Sequence, residues 1–251
     1  MALFKSGNPA LGEKAFSQTY TVYGDEAMTV KGTLNKFGIL FLLTMATAGL
    51  AWKMFASNVN ITTYMWISVF GGLGIALIMA FKMSLAPYLA PVYALVKGFA
   101  VGAISAYYNF AFEKVAPNII TQAVALTFGV VVAMYLLYRF NIITATPLFK
   151  KIIITATAGI AIFYLIAIGL HFAGINIPFL HEGSTFGIIF SLVVVGLAAM
   201  NLILDFDFIE NGSKMGAPKY MEWYGAFALL VTIVWLYLEI LKLLSKLAKR
   251  D

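Results

Sequence analysis

Three acids close one apolar run. Asp205, Asp207 and Glu210 stand in Asn201-Leu-Ile-Leu-Asp-Phe-Asp-Phe-Ile-Glu210, directly after Phe186–Leu204. A fourth acid, Glu239, interrupts the last apolar run of the chain, and Lys97 stands inside another. A charged side chain at the centre of a bilayer costs about 2.5–3.5 kcal/mol on insertion scales, so ionisable groups in such segments are kept by partners or by function. Two carboxylates that converge in a low dielectric cannot both ionise; they share a proton, and one of them holds it towards neutral pH. Such a pair is a proton-operated latch, and its oxygens also suit a hard cation such as calcium.

The elements that carry these groups follow from composition. The chain is 62% hydrophobic and 11% charged, where a soluble domain is roughly half apolar and a quarter charged. Its 251 residues cannot bury so much apolar surface in a water-soluble core, so the solvent is lipid. Seven runs reach the roughly 20 residues that a spanning helix needs. They are Leu34–Phe55, Thr62–Phe81, Tyr88–Phe112, Ile119–Tyr138, Ile152–Phe172, Phe186–Asp205 and Tyr224–Leu244. The ten-residue alternating segments of a membrane barrel are not visible. The expected fold is all-α: a polytopic bundle of seven transmembrane helices over residues 34–251, behind a flexible cytoplasmic tail over residues 1–33. That tail lacks the apolar core of a signal peptide.

Lysines orient the spans. With the N-terminus inside, inner segments hold Lys31, Lys36, Lys82, Arg139, Lys150 and Lys219 among others, and outer loops hold Lys53 and Lys114. The C-terminal Lys242, Lys246, Lys249 and Arg250 then fall outside, so the last segment either overrides the rule or re-enters and returns. The net charge of +6 fits loop lysines against anionic headgroups and does not call for nucleic acid. There is no cysteine, hence no thiol chemistry.

Depth along the spans limits the pairings. At ~1.5 Å per residue, Asp205 lies ~12 Å inward of its helix midpoint and Lys97 ~5 Å inward of its own. A lysine stem covers the difference, which allows an ion pair of Lys97 with Asp205 or Asp207. Glu239 lies ~10 Å outward of the midplane on the same rise. Depth alone therefore does not set it beside Asp205, and its local alternative is a pair with Lys242 on the next turn.

Gly71, Gly72 and Gly74, and the Gly98-xxx-Gly102 pair, read as helix-packing faces. Pro87 and Pro91 read as a first helical turn, where proline is tolerated. His171 and His181 lack metal-ligand spacing and read as interfacial polar residues. No HExxH, P-loop or GxSxG pattern is present, so no enzyme is indicated, and no cofactor apart from calcium as a permeant ion.

Four stretches carry a resemblance: Pro91-x-Tyr93-Ala-Leu-x-x-Gly98-x-x-x-Gly102-Ala-Ile-Ser105, Leu204-Asp-Phe-Asp-Phe-Ile-Glu210, Met221-Glu-Trp-Tyr-Gly-Ala-Phe, and Trp235-Leu-Tyr-Leu-Glu239-Ile-Leu. Together they resemble the Bax inhibitor (transmembrane Bax inhibitor motif) family, in its bacterial branch. Gly7-Asn-Pro-Ala and Met28-Thr-Val-Lys-Gly fit that branch too. The resemblance implies seven helices with the last one central, in a bacterial inner membrane. It implies a pH-sensitive calcium leak gated by an acidic pair, with Asp205 matching the first acid and Glu239 the second. Both would then be calcium-contacting groups, with Asp207 and Lys97 tuning the gate. Glu239 replaces the aspartate usual at that position, and Lys97 stands where an acid is expected. Two other functions stay open: a membrane-embedded modulator of a partner such as a membrane protease, with the acids structural, and a proton-coupled transporter, for which no inverted repeat is seen.

Overall fold

The computed structural model describes residues 27–174 and 183–249, apart from the side chains of residues 171 and 172. Seven α-helices follow one another: α1 Val30–Ala56, α2 Thr62–Phe81, α3 Ala86–Phe112, α4 Ile119–Arg139, α5 Pro147–Phe172, α6 Thr185–Lys214 and α7 Met221–Ala248. Each is long and apolar enough to cross a bilayer. Among the described residues there is no strand, and a single antiparallel bridge pairs Ala27 with Pro218. Large apolar side chains such as Leu42 and Ile67 stay exposed, as expected where the solvent is hydrocarbon.

All seven predicted spans are present, and their ends are informative. Hydropathy marks the part of a helix that lies in hydrocarbon, whereas backbone hydrogen bonding continues until something stops it. α1 begins at Val30, where the Thr29 hydroxyl accepts the Gly32 N–H at 2.9 Å, an N-cap arrangement. Residues 27–29 are tied down as well: the Met28 N–H donates to the Ala217 carbonyl at 2.7 Å. The rest of the predicted tail, residues 1–26, lies outside the described residues, as do His181 and the side chain of His171.

α6 runs on past Asp205 to Lys214, so that acid is inside a helix and not at its end. α7 is one continuous helix from Met221 to Ala248, without a break at which it would turn back. Lys242 and Lys246, expected in a terminal tail, are part of it. Pro91, expected in a first turn, sits in the body of α3, where proline removes one helical hydrogen bond. Pro147 opens α5, the position at which its missing N–H costs nothing.

Three helices stop in the same way. Asn58, Asn141 and Gly216 take positive φ after α1, α4 and α6. The next N–H in each case reaches back five residues, from Val59 to Met54, Ile142 to Leu137, and Ala217 to Gly212. These are left-handed caps of the Schellman type, which glycine and asparagine tolerate best.

The chain packs as two units. The first comprises residues up to Tyr107 with Asp205–Val231. Here α1 and α3 meet at Gly98 and Gly102. A Cβ on Gly98 would overlap the Thr44 carbonyl, and one on Gly102 would overlap the Ala48 backbone. The Thr44 hydroxyl donates to its own helix at Leu40 (2.9 Å) and across to Ala94 (3.3 Å). Small residues thus let two backbones touch where lipid supplies no hydrophobic drive. Gly71 and Gly72 make ordinary contacts with α3, while Gly74 has nothing within 4 Å and is no packing residue. Tyr93 of α3 stacks edge-on against Phe227 of α7 with ring centres 4.9 Å apart.

The second unit comprises Tyr108–Leu204 with residues from Thr232 on. Phe163 of α5 packs edge-on against Phe190 of α6. Asn201 of α6 donates to the Thr157 hydroxyl of α5 at 2.8 Å and to its own helix at Leu197. Of the seven apolar windows, that of α7 is the most buried and that of α5 the least.

Candidate functional site

Asp205, Asp207 and Lys97 belong to the first unit and Glu239 to the second. Asp205 is 6% exposed, flanked by the buried Leu204 and by Phe208 and Ile209 one turn on. Tyr224 of α7 stands within electrostatic reach of it. Asp207 is half-buried. The Lys97 stem packs against α2 beside Gly72, at ordinary van der Waals distance from where a Cβ would stand. Glu210 pairs with Lys214 on an exposed face at 2.6 Å, a contact worth little.

Glu239 is 1% exposed. The Tyr164 hydroxyl of α5 reaches both of its carboxylate oxygens, at 3.1 and 3.0 Å. The Lys242 ammonium donates to Oε1 at 2.9 Å and lies 4.6 Å from the centre of the Tyr164 ring. The local pairing with Lys242 foreseen from the i, i+3 spacing is therefore formed. A carboxylate in a span is neutralised by its own helix and steadied by a phenol from another.

The polar stripe of α7 continues towards its C-terminal end. The Lys246 ammonium is buried and donates to the Gly187 carbonyl at 3.0 Å and the Ser191 hydroxyl at 2.9 Å, both on α6. Tyr108 hydrogen-bonds Ser245, and Lys249 lies 5.8 Å from the Phe112 ring centre. Among the described residues, no group of three or more histidine, aspartate or glutamate side chains is arranged to hold a metal.

One group escaped the sequence reading except as part of a motif. Glu222, in the first turn of α7, is fully buried. It accepts from the Thr29 backbone N–H (2.9 Å) and hydroxyl (2.8 Å), pairs with Lys36 of α1, and pairs with Lys219 at 3.2 Å. The available signal was an acid at a helix N-terminus three residues after a lysine. Nothing local pointed to α1.

A family model described as Bax inhibitor 1 like matches residues 8–249. The chain belongs to that family. No curated protein and no solved structure matches it. For a Bax inhibitor 1-like chain the seven apolar helices make a multi-pass membrane protein embedded in a lipid bilayer. The match covers the acids of α6 and α7 along with the rest of the described chain.

Proposed function

We propose that this protein is a proton-sensitive cation leak, with calcium as a permeant ion and Asp205 and Glu239 as the acids of its gate. Asp207 and Lys97 tune the field around Asp205. One observation carries the reading: the Asp205 and Glu239 carboxylates are almost wholly buried within helices apolar enough to span a bilayer. Such groups are expensive in hydrocarbon and mark ion or proton pathways. Protonation removes a charge that would hold a cation, and deprotonation restores oxygens that replace its hydration shell. The lysine bias supports a cytoplasmic N-terminus, and the resemblance to the bacterial branch supports a bacterial inner membrane.

Calcium flux into proteoliposomes across a pH series tests this. Asp205→Asn and Glu239→Gln should each change the flux and flatten its pH profile; unchanged flux and profile in both variants refute the gate.

The ion pair between Lys242 and Glu239 favours a second reading, in which the acids are structural and the chain modulates a partner such as a membrane-bound protease. Under it, removing the residues before Met28 abolishes the effect on the partner while the helices stay folded. An effect that survives the truncation argues against it.

A further inference from the structure

We infer that Lys242 is a tethered counter-ion that occupies the Glu239 carboxylate and sets which cations reach it. This rests on the proposed cation leak and names a residue that controls its selectivity.

Among the described residues of the second unit, Tyr164 of α5, Tyr108 of α3, and Lys242 and Lys246 of α7 itself interact with Glu239, and Lys249 lies beyond Lys246. Tyr164 holds both carboxylate oxygens with a neutral hydroxyl, which leaves the charge uncompensated. Lys242 supplies the compensation. Its side chain is 37% exposed while that of Glu239 is 2% exposed, so Lys242 is the accessible member of the pair. The face of the Tyr164 ring lies under the same ammonium, and a cation–π contact helps to keep it there.

A cation that reaches Glu239 along Lys242 therefore meets an ammonium already bonded to the carboxylate. To bind, it must displace Lys242, and it then finds two carboxylate oxygens and the Tyr164 phenol, the oxygen donors that a hard divalent ion prefers. Lys246, one turn further and buried, keeps a second positive charge nearby. Glu239 and Lys242 sum to zero charge; Lys242→Gln leaves minus one. An opposite charge at ion-pair distance is worth enough, even at an effective dielectric of 20, to raise divalent binding by about tenfold or more.

Two measurements on the full chain test this. Terbium binding in detergent, read by luminescence sensitised through tyrosine, probes the carboxylate without any need for flux. Lys242→Gln should raise terbium affinity about tenfold over the parent, Lys242→Arg should not, and Lys242→Gln combined with Glu239→Gln should lose the gain. The same set in proteoliposomes should raise calcium flux relative to potassium flux only in Lys242→Gln.

A gain that persists in the double variant reflects a loosened fold and overturns the inference, as does an affinity that Lys242→Gln leaves unchanged. Normal parent flux with no effect of Lys242→Gln refutes the counter-ion and leaves the leak standing. Absence of flux in every variant, with terbium affinity rising as expected, refutes the leak and leaves the counter-ion standing.

Discussion

The Glu222 carboxylate takes both the backbone N–H and the hydroxyl of Thr29, at 2.9 and 2.8 Å, across 193 residues of sequence. Thr29 is the N-cap of α1 and Glu222 lies in the first turn of α7. One carboxylate thus fastens the starts of the first and last helices to each other, with Lys36 and Lys219 compensating its charge. Both helix N-termini present positive dipole ends, which a carboxylate complements.

Removing that carboxylate exposes the dependence. Glu222→Ala leaves the exposed Thr29 N–H and the half-buried Lys36 ammonium without their acceptor. Water can reach these donors, so the loss is that of ordinary hydrogen bonds, about 0.5–1.5 kcal/mol each. A lower melting temperature in detergent is expected, with Glu222→Gln intermediate because it keeps one acceptor oxygen. Gly32→Ala should mimic the loss, since its Cβ would overlap the same carboxylate. Equal stability of Gly32→Ala and the parent would show that Glu222 has other places to go.

The glycines of the spans should separate into two classes. Gly98→Ala and Gly102→Ala would drive a Cβ into the backbone of α1, and overpacking of this kind costs about 1–3 kcal/mol. Gly74→Ala and Gly129→Ala meet nothing within 4 Å. They should be neutral or stabilising by about 0.5–1 kcal/mol, because alanine is the better helix former. Thermal unfolding of the four variants in one detergent checks the contrast. Uniform effects would mean that backbone contact between α1 and α3 is not what the GxxxG pair provides.

How far the sequence reached can be seen residue by residue. Hydropathy located all seven spans, because about 20 apolar residues are needed to cross hydrocarbon, but it missed where α6 and α7 end. The turns around Glu210 and Ser245 are mixed in polarity, and only packing and capping decide whether they stay helical. The Lys242–Glu239 pair was legible because its i, i+3 spacing is local. Tyr164, 75 residues from Glu239, and Thr29, 193 residues from Glu222, left no periodic trace, since a contact between helices depends on rotation and depth that no window of sequence records. Lys246 was mistaken for tail for a related reason: a lysine near a chain end looks the same in sequence whether its ammonium faces water or a serine.

Lys246 gives the sharpest test of how buried charge is tolerated here. Its acceptors are the Gly187 carbonyl and the Ser191 hydroxyl, both neutral, in a location with almost no exposure. Replacing a buried charge by an apolar side chain of similar volume is often neutral or stabilising, because the desolvation penalty disappears with the charge. Lys246→Met should therefore melt at or above the temperature of the parent. Lys246→Ala removes the same charge but leaves a hole between α6 and α7, and truncations of large buried side chains cost about 2–5 kcal/mol. If both variants unfold equally early, the ammonium itself holds α7 to α6. If only the alanine variant does, the stem is what packs, and the charge is kept for a reason other than stability.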